Sequence, residues 1–183
     1  MNDTNLNRMM EYSFDRINRK PDSKLTVTEI CSDLHISRST FYECFDNIQG
    51  LYDSVFDTLV EKAKKPLVSG VDFSSGNLRN KVVLFVRSLL SFLGEHRNHS
   101  RALFMFYGEM YLLKIKKICS DFFDFDPTSE AYFAYRFLLG GFSYVIGSWI
   151  MEGGMKNRQG CEKELSDQLY LFLKDYGIPE KKK

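Results

Sequence analysis

The sequence predicts an all-α fold, and three observations carry that expectation. Apolar side chains recur at spacings of three and four through most of the chain. Glycine and proline are sparse, 12 and 4 in 183 residues, so few points interrupt that periodicity. Two capped helix starts flank a tight turn near residue 35.

The first helix places Leu6, Met9, Met10, Phe14 and Ile17 on one stripe and stops before Pro21. Thr26 and Glu29 match a capping box, in which the threonine oxygen takes a backbone N–H and the glutamate reaches back. The short helix they open runs to about Leu34. His35-Ile36 is a tight turn, and Ser37 caps a third helix from Arg38 to about Phe45. A fourth helix over 47–65 turns Leu51, Val55, Phe56, Leu59 and Ala63 inward. The stretch 66–76, PLVSGVDFSSG, is rich in turn formers and is the expected domain boundary.

Asn77 can cap the next helix, whose stripe is Leu78, Val82, Phe85, Leu89 and Phe92. Residues 94–100 are polar and are expected to form a solvated break. Two helices fill 100–123, parted near Gly108, and DFDPTSE (124–130) is a loop. The helix at 129–152 is apolar on two faces, one of Tyr132, Tyr135, Leu139, Phe142, Ile146 and Trp149, the other of Phe133, Phe137, Gly140, Tyr144, Gly147 and Met151. Such a helix needs cover on two sides, its own core on one and a twin subunit as the simplest cover on the other. A last helix at 161–176 carries Leu165, Leu169, Phe172 and Tyr176, and the terminal EKKK is expected to fray.

Composition narrows the class. Apolar residues at 44% can build a real core, which excludes wholesale disorder. A net charge of +1 excludes a histone-like polycation and an acidic tail protein, but not a local basic reader. Cys31, Cys44, Cys119 and Cys161 form no CxxC, so neither a disulfide framework nor a zinc module is expected. The first twenty residues lack the apolar stretch of a signal peptide, and residues 131–151 contain Arg136 and several polar groups. The expectation is a cytoplasmic protein in which that segment is a buried or interfacial helix.

Three short helices with a capped start, a tight turn and a second capped start describe a helix-turn-helix. The N-terminus of its third helix must enter a major groove about 12 Å wide, so its first residues should be small or hydrogen-bonding. Here they are Ser37, Arg38, Ser39 and Thr40. Phe41 and Phe45 can anchor the inner face while Tyr42 projects outward, its hydroxyl free to reach a phosphate. The fork of Arg38 matches the O6 and N7 acceptors of guanine.

Residues 25–52, with the core ISRSTFYECF and the following Leu51, resemble the DNA-binding region of TetR/AcrR-type regulators. GGFSYVIGSWIMEGGM is more loosely similar to the penultimate helix of a subgroup of that family. The resemblance implies a homodimer with two N-terminal readers, and a C-terminal body that binds an inducer and dimerises through its last two long helices. Carried over by position, it nominates Thr28, Ser37, Arg38, Ser39, Thr40 and Tyr42 as DNA contacts. The expected organisation is therefore a DNA-binding domain over 1–50, the fourth helix as connector, and an effector-binding and dimerisation domain over 66–183. Two positions depart from the family pattern. His35 stands where the turn usually has glycine, and Ile48 where a phosphate-clamping lysine is common.

Residues 1–50 hold six basic and eight acidic groups, 6 − 8 = −2, so counterion release contributes little to binding DNA. Lys24 and the helix starts at Thr28 and Ser37 would carry most phosphate positioning. In the body, Phe85, Phe92, Phe104, Tyr107, Tyr111 and Trp149 could line a pocket for an apolar effector, or simply fill a core. Phe137, Gly140, Tyr144, Gly147, Met151 and Leu169 are the candidate dimer residues. Glu95, His96 and His99 have the look of a metal cluster but sit in the predicted solvated break, so no metal is expected. Cys44 lies between Glu43 and Asp46, which disfavours a reactive thiolate. No nucleophile elbow or phosphate loop supports an enzyme, and no cofactor is expected. The leading expectation is a dimeric repressor that reads a near-palindromic operator and is released by a small molecule. The alternative is a regulator whose body docks a partner protein and whose own DNA affinity is weak.

Overall fold

The computed structural model describes residues 3–70, 77–120, 128–153 and 157–177. Among these residues every regular element is a helix: α1 Asp3–Arg19, α2 Val27–Leu34, α3 Arg38–Cys44, α4 Ile48–Gly70, α5 Leu78–Glu95, α6 Arg97–Phe106, α7 Gly108–Ser120, α8 Ala131–Met151 and α9 Arg158–Tyr176. The all-α expectation holds. None of these helices is long and apolar enough to cross a membrane.

α1, α2 and α3 pack on one another, and Met9, Ile17, Leu25, Ile30 and Phe41 form their shared core. α4 leaves this unit and lies against α1, α5 and α7. α5 packs along α9, and α8 covers α6, α7 and α9. The predicted caps form. Thr26 accepts from the Glu29 amide at 3.2 Å, Ser37 from the Thr40 amide at 3.0 Å, and Asn77 from the Asn80 amide at 3.2 Å.

α6 ties the three-helix unit to the rest. The Asn98 amide donates to the Asn18 carbonyl at 2.8 Å, and Arg101 pairs with Asp22 while donating to the Met151 carbonyl at 3.0 Å. Tyr107, just past the end of α6, packs against Tyr52 of α4 with its ring tilted by 56° and 4.9 Å between ring centroids. A second tie joins α4 to α7. Buried Lys114 is paired with Asp53 and with Asp57, the latter at 2.9 Å, and Lys117 meets Asp57 at 2.6 Å. Partial burial alone would raise the Asp57 carboxyl; the Lys117 and Lys114 hydrogen bonds outweigh it and hold the group below its ordinary value.

Several local expectations change. α4 runs through Pro66 to Gly70, past the expected helix end at 65. Proline removes one ladder bond, but the preceding turns are already held by packing on α1, α5 and α7. Residues 71–76, most of the 124–130 loop and the EKKK end lie outside the described residues. The polar stretch 94–100 is not a solvated break. α5 and α6 meet at the single residue His96, and His99 and Ser100 are buried in α6. The His99 ring lies 4.0 Å from that of Phe14, and its Nε2 is 2.9 Å from the Phe14 carbonyl. Burial, the largest influence, lowers its pKa to about 4, so the imidazole is neutral and Nε2 donates. No His, Cys, Asp and Glu cluster able to hold a metal occurs among the described residues.

Candidate nucleic-acid interface

The α2–α3 junction is shaped by His35, whose φ of 52° and ψ of 45° lie in the left-handed region. The His35 amide donates to the Ser32 carbonyl at 3.3 Å and the Ile36 amide to the Cys31 carbonyl at 3.0 Å. These two bonds make a Schellman closure, which satisfies carbonyls that the end of α2 would leave open. Histidine tolerates this conformation less readily than glycine. The chain then reverses into Ser37, which is extended and caps α3.

Inside the junction, Phe41 is fully buried and Phe45 lies 5.8 Å from it between ring centroids. With these anchors inward, Ser37, Arg38, Ser39 and Tyr42 are exposed and Thr40 is partly exposed. Thr28, at the start of α2, and Lys24, in the preceding loop, are exposed as well. The seven nominated side chains are not equally free. Ser37 Oγ is the cap and lies within 2.8 Å of Ser39 Oγ and 2.9 Å of Thr40 Oγ1. Arg38 Nη2 donates to Thr28 Oγ1 at 2.8 Å, which joins the starts of α2 and α3. Lys24 Nζ stands 5.0 Å from the centre of the Tyr107 ring, a cation–π contact that reaches across to the body.

One residue that organises the site escaped the pattern reading. Arg16 is buried and grips Glu29 through Nε and, at 3.3 Å, through Nη2. It also donates to the Lys20 carbonyl at 3.1 Å and to Ser23 Oγ at 3.2 Å. Glu29 therefore spends its carboxylate on Arg16, and the returning half of the capping box is replaced by this fork. The signal for it was present: Arg16 shares the inward register of Met9 and Ser13, and a charged residue there needs a buried partner. Arg8 likewise donates to the Leu34 carbonyl at 3.1 Å. Tyr12 donates to Asp33 at 2.6 Å; burial first, and then that bond, lift its hydroxyl to about 12.

The six aromatic residues named for an effector pocket have different surroundings. Phe92 and Tyr111 line a cavity of about 20 Å³ between α4, α5, α6 and α7, room for one or two waters. Phe85 is core, Tyr107 sits against Tyr52 and Lys24, and Trp149 is buried beside Gly94. Phe104 packs edge-on to Tyr111 at 5.2 Å and covers Gly147. Of the candidate dimer residues, Phe137 and Tyr144 are 86% and 70% exposed, Gly140 has open space beside it, and Met151 is partly exposed. Gly147 and Leu169 are buried inside the subunit and leave that face. Gly147 lacks a side chain because Phe104 of α6, not a partner helix, occupies the space. Phe133, 77% exposed, extends the outer stripe of α8.

No protein-family model matches the chain, and no curated protein matches it.

Proposed function

We propose that this protein is a dimeric helix-turn-helix transcriptional regulator of the TetR/AcrR type, acting as a repressor that a small-molecule effector releases. The observation that carries this reading is the outward array on α3. Two phenylalanines hold the helix inward while Ser37, Arg38, Ser39 and Tyr42 face solvent, and Thr40 does so in part, from a capped start. Short hydroxyls and one arginine at the leading end suit entry into a major groove. Lys24 and Thr28 would flank them as backbone contacts.

The exposed stripe of Phe133, Phe137 and Tyr144 supports a second copy as the cover of α8. In a dimer each α3 would read one half of a near-palindrome, with half-sites about one helical turn apart. The ties from α6 and α4 into the three-helix unit support control from the body, since a change in either would move the reader. The switch requires an effector that binds the two reader spacings with different affinity.

Selection of bound genomic fragments by the purified protein, followed by salt titration on the best site, tests the reading. A short near-palindrome is the expected result, and Arg38→Ala is expected to cost about 1–3 kcal/mol and relax one base pair per half-site. Equal loss on every sequence would make Arg38 a phosphate contact only. No enriched sequence at any salt overturns direct DNA reading and favours the partner-dependent alternative. That second reading is supported by the −2 charge of residues 1–50 and by the occupation of Arg16 and Arg8 within the protein.

A further inference from the structure

We propose that the effector is an apolar acid, a carboxylate on a hydrocarbon body, and that its head group is taken by Lys114. The inference rests on the effector-controlled reading above and names the chemistry of its site. The cavity between α4, α5, α6 and α7 has walls of Phe56, Leu59, Phe92 and Leu103, and among the described residues that line it Lys114 is the one basic side chain beside His96 and none is a carboxylate. Lys114 is 8% exposed, so an anion reaching it meets a cation with little competing water. His96 and Ser100 line the same cavity and can each donate a hydrogen bond. Burial lowers the His96 pKa, so it acts there as a neutral donor rather than a second cation.

The present partners of Lys114 give the site its consequence. Both Asp53 and Asp57 belong to α4, the helix that follows directly from the reader, whereas Lys114 belongs to α7. A ligand carboxylate that takes Lys114 replaces two aspartates by one carboxylate, so the buried ammonium still has a counterion. The displaced aspartates have side chains 48% and 36% exposed and can turn to water at small cost. What is lost is the Lys114 part of the α4–α7 tie, leaving Lys117 on Asp57. The cavity in this conformation is about 20 Å³, while a ligand of drug-like size needs about 300 Å³ or more. Room for such a ligand requires the walls to part, and α4, which carries both aspartates and follows the reader, is one of those walls; its displacement would couple ligand entry to movement of the reader.

The test is calorimetric titration of the full-length protein with straight-chain carboxylates from hexanoate to dodecanoate, set against the matching alcohols and amines. The expected result is binding of at least one carboxylate about tenfold or more tighter than its alcohol, the change one charge-assisted hydrogen bond gives. Lys114→Met should level acid and alcohol. Because that variant removes a buried ion pair between α4 and α7 and can fail to fold, Asp57→Asn is the second arm, and it should tighten carboxylate binding several-fold by removing a competitor for Lys114. Alcohols or amines binding as well as acids, no binding by any carboxylate, or weaker acid binding by Asp57→Asn overturns the proposal. Fluorescence anisotropy on the selected operator separates the two readings. Release by an alcohol or amine but not by acids refutes the acid class and keeps the effector. Selective acid binding at Lys114 with unchanged operator affinity upholds the site and refutes its control of DNA.

Discussion

Arg16→Ala should be among the most damaging single changes in the three-helix unit, although Arg16 touches none of the nominated DNA contacts. The side chain of Arg16 is 7% exposed and that of Glu29 is 28% exposed. Removing one member of a buried pair costs about 3–5 kcal/mol because the other is left charged and uncompensated. Water can reach Glu29 in part, which places the electrostatic loss at the lower end. The truncation also removes the donors to the Lys20 carbonyl and Ser23 Oγ, each a charged hydrogen bond. A destabilisation of about 3 kcal/mol is expected in urea unfolding, with the slope against denaturant unchanged. Arg16→Met with Glu29→Leu should recover about half of that loss or more, since no charge is then stranded. A loss below about 1 kcal/mol for Arg16→Ala, or a double variant worse than the single one, would refute the assignment of this pair as the brace between α1, the 20–25 loop and α2.

Three other outcomes follow from the same geometry. Gly147→Ala drives a methyl group into the Phe104 ring and should destabilise the protein by about 1–3 kcal/mol, whereas Gly140→Ala meets open space and should be neutral or gain up to about 1 kcal/mol; thermal unfolding of the pair decides this, and equal effects would show that Phe104 yields freely. His99 has its folded pKa lowered to about 4, below the ordinary 6.5, so protonation favours the unfolded chain: its contribution is complete above about 6.5 and is lost as pH falls towards 4. His99→Gln should flatten the pH dependence of stability across that window, and an unchanged slope relative to the parent would remove His99 as its source. Phe137→Glu should leave the unfolding of the subunit nearly unchanged, since the side chain is 86% exposed, yet produce a monomer in sedimentation if α8 is covered by a second copy; an intact dimer would place the interface elsewhere.

The short-range features of this protein could be read directly. Thr26, Ser37 and Asn77 cap helices because a side-chain oxygen needs only an amide three residues on, and the stripes of α1, α5 and α9 need only helical spacing. The same locality explains the outward face of α3, since once Phe41 and Phe45 turn inward, Arg38, Ser39 and Tyr42 have nowhere else to point. What those rules leave open is the neighbour. Glu29 was free to cap its own helix until Arg16, thirteen residues earlier, offered a buried fork. His99 belonged to a polar stretch until α1 brought the Phe14 carbonyl against it. Gly147 was equally suited to a partner helix and to a Phe104 ring, and only the packing of α6 on α8 chose. Lys114 shows the same division most plainly: helical register turns it inward, but its two aspartates come from α4 some sixty residues away. Hydrogen bonds to the nearby backbone and apolar periodicity are properties of one segment. The partner of a buried charge, and the occupant of the space beside a glycine, are properties of two segments that only tertiary packing brings together.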